Sequence, residues 1–396
     1  MKTKLVIFGI TGDLSKRKLL PAIEHIFDAG VIPDLNIIGV SRRHIDASEL
    51  LQQSVGRIDM ATKLSMFTMD VADPDDYLRL KDYVALGKDE QLLVYLAVPP
   101  SASTHIVDFL GQVELNTSNV KLLLEKPFGF DYESARDYIE HTARYFHEDQ
   151  IYRIDHYMAK DMALLLRKEH ASRRWSNQTV EAIEVTATET IGIEGRVSLY
   201  EEIGALRDFL QGHLLQLLSL VLAKSVDMTL PECRLAALEQ LEPIDPTKGY
   251  RAQYAGYQEE VNNPGSLVET FTLASIASND PRWQGVAISL MTGKALDKKR
   301  SYIRIRYKDG TETVYEEGAV SQQSNERKLD AYERVLLEAI QGRKEIFTTS
   351  AEVLRSWQLV AQLQEEWSRD NEPLYQYPRG IGAQVIMDRL INRDEV

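Results

Sequence analysis

The sequence predicts a two-domain α/β chain. Residues 1–153 read as a doubly wound, mainly parallel-sheet domain, and residues 154–396 as an α+β domain with a mainly antiparallel sheet. Three observations carry this. Short, continuously apolar runs at 4–8, 92–97 and 120–124 suit strands buried on both faces, as in a parallel sheet. Later runs at 179–190, 267–276 and 301–307 alternate and are rich in β-branched and aromatic residues, which suits strands with one wet face. A length of 396 residues exceeds one average domain.

Bulk properties exclude several classes. The apolar fraction of 44% supports a sizeable core, while a net charge of −14 argues against nucleic-acid or membrane-surface binding, so an anion site must be a local exception. The single cysteine, Cys233, excludes an intramolecular disulfide and a multi-cysteine metal site. The first apolar run is short and leads directly into a glycine turn, as a first strand does and a signal peptide does not. With no run long enough to span a bilayer, a soluble cytoplasmic protein is expected.

The elements follow in order. After the strand at 4–8 comes Gly9-Ile-Thr-Gly-Asp-Leu-Ser-Lys-Arg-Lys18, an amphipathic helix at 19–27 and a strand at 35–40. Strand, glycine turn, helix and strand open a Rossmann-type dinucleotide-binding fold, because backbone lacking a Cβ approaches a pyrophosphate at a helix N-terminus. The spacing is G-x-x-G, with Ser15 where a third glycine would sit. The second strand ends in Ser41-Arg42-Arg43 where an NAD site usually carries an acid. A cation there matches a 2′-phosphate and favours NADP, with NAD as the alternative and two surface arginines as the plain reading. Strands at 66–70 and 92–97 follow, the latter running into Val98-Pro99-Pro100, and the strand at 120–124 runs into Glu125-Lys126-Pro127-Phe128-Gly129. Lys126 is thus a cation at a carboxyl strand end, suited to bridging nicotinamide and substrate. A helix at 132–147 precedes residues 148–160. If those are helical, Arg153, His156, Tyr157 and Lys160 share one face, either solvated or suited to a phosphorylated, hydroxyl-rich ligand.

In the second half, 206–223 reads as an apolar helix carrying Asp208, Gln211, His213 and Gln216, a polar seam that asks for a ligand or a partner. Lys298-Lys299-Arg300 is a basic run, read as a solvated strand edge or as added positive field. Helices at 331–342 and 350–367 follow, with Trp357 and Trp367 as core residues.

Gly9-x-x-Gly-Asp-Leu14, Tyr95-Leu-Ala-x-Pro-Pro100, Glu125-Lys-Pro-Phe-Gly129 and Tyr152-Arg-Ile-Asp-His-Tyr157 resemble, in order and spacing, motifs of the glucose-6-phosphate dehydrogenase family. The resemblance continues through Glu194-Gly-Arg196, residues 206–216, Glu269-Thr-Phe271, Arg282-Trp283, Thr292-Gly-Lys-Ala-Leu296 and Asp330-Ala-Tyr-Glu-Arg334. It implies oxidation of glucose 6-phosphate at C1 to the lactone with NADP, the first step of the oxidative pentose phosphate pathway. It implies His213 as general base with Asp155 as its carboxylate partner, and His156, Tyr157 and Lys160 as the 6-phosphate clamp. Glu189, Asp208 and Lys294 fall at sugar-holding positions, and Lys126 touches substrate and cofactor. Gly9, Thr11, Gly12, Asp13, Leu14, Arg42, Tyr95 and Pro99 fall at cofactor positions. No metal is called for, and a homodimer or higher homo-oligomer is implied. The chain departs from the family at Gly212, where an asparagine is usual, at Met291, where an arginine is usual, and after Tyr307, where members insert further strands. Two other readings remain: a sibling dehydrogenase acting on another phosphorylated sugar, and a non-catalytic relative.

Overall fold

The computed structural model describes residues 2–392, apart from 33, 56–58, 170–171, 173, 225–227 and 320–328, and without the side chains of 59 and 60. The chain packs as two units. The first comprises Met1–Gly129, Arg136–Ala159 and Glu326–Ser350, and the second Phe130–Ala135, Lys160–Asn325 and Ala351–Val396. In place of one cut at 153/154, segments are exchanged, and a late stretch returns to the first unit. Long-range bonds explain its return. Phe347–Thr348 pairs antiparallel with Ile151–Ile154. The last carbonyls of the helix Ala331–Ile340 accept from Lys121 Nζ (Ala339 O, 2.7 Å) and Gln91 Nε2 (Ile340 O, 2.9 Å), which satisfies groups a helix end leaves open.

The first unit is built on a seven-stranded sheet in the order Phe347–Thr348, Ile151–Ile154, Val120–Leu124, Glu90–Leu96, Lys2–Phe8, Leu35–Ser41, Leu64–Thr68. All neighbours are parallel except the first pair. The strand order reverses at Lys2–Phe8, and such a switch point is where open α/β sheets bind ligands, beyond the carboxyl strand ends. Leu5 to Phe8 and Leu92 to Leu96 are buried throughout, as their unbroken apolar runs require.

The stretch at 148–160 is not a helix. Glu148–Gln150 is a 3₁₀ turn, Ile151–Ile154 a strand and His156–Ala159 a second 3₁₀ turn. A strand inside a parallel sheet is buried on both faces and shows no alternation, so its polar residues can mimic a helical spacing. Arg153, 1% exposed, binds both oxygens of Glu148 at 2.8 and 3.0 Å and belongs to no ligand-facing stripe.

The second unit carries a seven-stranded mixed sheet in the order Glu312–Glu316, Arg300–Tyr307, Val180–Thr188, Ala287–Gly293, Phe271–Ile276, Gly249–Tyr254, Tyr375–Tyr377. Two pairings are parallel, Ala287–Gly293 with Val180–Thr188 and Tyr375–Tyr377 with Gly249–Tyr254, and the rest are antiparallel. The apolar helix at 206–223 is two segments, a π-helix Leu206–Leu214 running into an α-helix Leu215–Leu222. Arg300 of the basic run is held at the sheet edge by Glu316, at 2.7 and 3.1 Å. Trp357 is buried, and Trp367 lies under the Arg251 guanidinium at 5.4 Å.

Candidate active site

In the first unit the site begins at the switch-point strand. Gly9 has φ +78°, and a Cβ there would run into the Ala97 carbonyl, whose own N–H donates to Phe8 O at 3.0 Å. A Cβ on Gly12 would lie 3.1 Å from Gly9 O. Gly9 therefore needs glycine and Gly12 has little room for a side chain, which leaves the backbone of the turn open to a ligand. Ser15, at the place of a third glycine, is buried, and its hydroxyl donates to Gly9 O at 2.9 Å, tying the turn to the helix that follows. Thr11 and Leu14 are half-buried, and Asp13 is exposed beside Arg17 at 3.5 Å. Arg42 is exposed just past the strand Leu35–Ser41, where a cation can meet a phosphate in water.

Tyr95 is buried within its strand, and its hydroxyl donates to Glu125. Pro99 caps the helix Pro100–Gln112, accepting from Ala102 and Ser103 N–H at 3.0 and 3.1 Å. Lys126 follows the strand Val120–Leu124, and the Lys126-Pro127 peptide is cis. Burial pushes the Glu125 carboxyl up to about 7, with the Tyr95 hydroxyl and Lys126 pulling it down and Asp155 pushing it up. Asp155 is 3% exposed and accepts from Tyr157 N–H at 3.0 Å. The His156 ring meets Tyr157 edge-on at 5.0 Å and stacks on Tyr332 at 6.1 Å. Lys160, half-buried, opens the second unit.

In the second unit, sheet register assembles the site. Thr188 pairs with Gly293 in parallel, so the residues following each strand, Glu189 and Lys294, emerge together. Lys294, 3% exposed, is bonded to Glu189 and lies 3.5 Å from Asp208. Its ammonium sits 5.2 Å from the centroid of the Tyr200 ring and 5.5 Å from that of Phe209. His213 is 5% exposed, with Phe209 edge-on at 5.3 Å. The π-helix matters here. Its wider turn hydrogen-bonds i to i+5, so Asp208 and His213, five apart, lie on one face.

In the first unit Lys126 and Asp155 both act on the Glu125 carboxyl, and in the second Lys294 joins Glu189 and Asp208, with His213 on the π-helix that carries Asp208. Two residues were missed. Glu125 stands beside Lys126 in the same motif, and a carboxylate within a buried strand–proline junction was the available signal. The Tyr200 hydroxyl is buried with no hydrogen-bond partner among the described residues, and burial, then Asp208 and Glu269, pushes its ionisation well up. Among the described residues, no three His, Cys, Asp or Glu side chains group as a metal site. No described helix is long and apolar enough to cross a membrane.

Comparison with known proteins places the chain in a family. The family model described as glucose-6-phosphate dehydrogenase, NAD binding domain, matches residues 6–164. The corresponding C-terminal domain model matches 164–327 and 318–396. Glucose-6-phosphate 1-dehydrogenase of Dickeya dadantii is 29% identical, with 98% of this chain and 96% of the relative covered. That of Gluconobacter oxydans is 30% identical over 95% and 93%. The alignment with the Dickeya protein spans 473 positions against 396 residues here, so the relative carries segments without counterpart in this chain. A solved glucose-6-phosphate dehydrogenase in complex with glucose 6-phosphate superposes with a TM-score of 0.89 at 25% identity, covering 99% of this chain and 97% of the other. With both domain models matched end to end on a fold of this architecture, the chain belongs to the glucose-6-phosphate dehydrogenase family.

Proposed function

We propose that this protein oxidises glucose 6-phosphate at C1 to the 6-phosphogluconolactone with NADP⁺. The observation that supports it best is the second unit's polar cluster: a nearly buried imidazole, His213, on the same helical face as Asp208, with the Glu189–Lys294 pair beside it. An imidazole titrating near neutrality suits removal of the C1 hydroxyl proton, and the Asp155 carboxylate is proposed to support the resulting imidazolium. Glu189, Asp208 and Lys294 hold sugar hydroxyls, a task for alternating donors and acceptors in a partly dry site. His156, Tyr157 and Lys160 take the 6-phosphate, and Lys126 contacts both substrate and cofactor.

The glycine cradle and the exposed Arg42 fit a phosphorylated dinucleotide, the first by backbone N–H groups, the second by charge. When bound, the nicotinamide supplies a hydride acceptor. Gly9, Thr11, Gly12, Asp13 and Leu14 are proposed to line the pyrophosphate. Arg42 selects the 2′-phosphate over a bare ribose, and Tyr95 and Pro99 shape the nicotinamide end, Tyr95 through Glu125. A cytoplasmic homodimer or higher oligomer is proposed on family grounds. The test is a panel of sugar phosphates with NADP⁺ and NAD⁺, followed by reduced-nicotinamide absorbance. Turnover of glucose 6-phosphate with NADP⁺ is expected. Turnover confined to another sugar phosphate would transfer the reading to a sibling dehydrogenase.

A further inference from the structure

The π-helix bearing Asp208 and His213 starts at an unusual junction. The preceding helix Val197–Ala205 is broken at Gly204, with φ +57° and ψ −175°, a conformation open to glycine and strained for other residues. The break is occupied by Glu269. Its backbone carbonyl accepts from Ala205 N–H at 2.9 Å, and its carboxylate accepts from Leu206 N–H at 2.8 Å. A Cβ on Gly204 would collide with that carboxylate. The next residue, Thr270, accepts from Lys294 N–H at 2.9 Å through its carbonyl. The Tyr377 hydroxyl ties the arrangement together, donating to Lys294 O at 2.8 Å and meeting Thr270 Oγ1 at 2.9 Å. Two consecutive residues therefore grip both partners of the Asp208–Lys294 pair, one through the start of the helix and the other through the end of a strand.

We propose that Glu269 is a positioning residue for the acid–base helix: its carboxylate, anchoring the Leu206 N–H, sets where Asp208 and His213 stand relative to Lys294. The carboxylate suits this place. It is 8% exposed, and it meets the Leu206 N–H, one of the groups that carry the positive end of the helix. Glu269 touches neither substrate nor cofactor in this assignment, which rests on the function proposed above. It also lines a cavity of about 460 Å³ that opens to solvent between Gly204, Arg207, Ser266 and Trp367, so a small acid can reach the position from outside.

The experiment compares Glu269→Ala, Glu269→Gln and Glu269→Asp with the parent protein, using glucose 6-phosphate and NADP⁺. The alanine variant is expected to lose roughly 10- to 100-fold in kcat, as misplacement of reacting groups by about an ångström does, with the KM for NADP⁺ unchanged. Glutamine keeps an acceptor and should retain most of kcat. Formate or acetate should restore the alanine variant and leave the parent unaffected. If the alanine variant does not fold, Glu269→Asp, which draws the carboxylate back by one methylene, carries the same comparison. Wild-type kcat in the alanine or aspartate variant would overturn the proposal, as would equal loss in alanine and glutamine without rescue by added carboxylate. The NMR titration of the His213 ring, read in all variants, separates the two claims. A parent inactive on every sugar phosphate defeats the functional reading, whereas an unmoved His213 resonance in Glu269→Ala defeats the positioning role alone.

Discussion

Replacing Lys294 by methionine isolates the charge at the centre of the second unit's cluster. Methionine keeps the length of the stem packed against Tyr200 and Phe209 and removes the ammonium that Glu189 and Asp208 share. Breaking a buried ion pair from one side costs about 3–5 kcal/mol, because the partner charge stays behind. Here two carboxylates remain, but their side chains are 20% and 22% exposed and can turn towards water, which lowers the expected loss to about 2–3 kcal/mol near pH 8. Two neighbouring carboxylates without a cation repel, and added salt screens that repulsion, so part of the deficit should be recovered at high ionic strength. All four tryptophans, Trp175, Trp283, Trp357 and Trp367, lie in the second unit, so urea unfolding followed by tryptophan fluorescence reads that unit. A deficit unchanged by salt would mean that packing, not charge, holds the cluster.

Three further outcomes follow. Lys160→Ala should raise the KM for glucose 6-phosphate at least about tenfold with kcat nearly unchanged, as steady-state kinetics reads, since a lost charge-assisted phosphate contact removes binding of about 1.5–3 kcal/mol. Arg42→Ala should raise the KM for NADP⁺ by about ten- to a hundredfold and leave that for NAD⁺ within about twofold, which steady-state kinetics with both cofactors checks. Glu125, held at about 7 against an ordinary value of 4.5, is favoured protonated in the folded chain. Its contribution is therefore full below the unfolded value and lost as pH rises through about 7. Glu125→Gln should gain on the order of 2 kcal/mol over the parent between about pH 5 and 8, partial exposure having reduced the full effect. Hydrogen exchange in the strand Glu90–Leu96 measures this.

Much of the first sheet was legible because its strands are short, apolar and punctuated by glycine and proline: residues 4–8, 92–97 and 120–124 fall on strands of the structure. The polar seam of 206–216 was legible for the opposite reason, since Asp208, Gln211, His213 and Gln216 interrupt a helix that otherwise buries everything. The stretch around His156 was not. Its charges are spaced as on a helix, yet Arg153 is spent on Glu148 inside a strand, and only long-range pairing with residues 347–348 decides that. The same distance in sequence hides the return of the helix Ala331–Ile340 to the first unit. The π-turn at Leu206–Leu214 left no local mark either, because propensity reports helix and not its width, and the carboxylate at its start comes from Glu269, far along the chain.

His213 is proposed to remove the C1 hydroxyl proton of glucose 6-phosphate. The most direct measurement is turnover of His213→Ala with glucose 6-phosphate and NADP⁺, alongside calorimetric binding of NADP⁺. Loss of about 10²- to 10⁴-fold in kcat with cofactor affinity unchanged is predicted, the range expected for removing a general base. A variant that still turns over within tenfold of the parent would contradict the assignment.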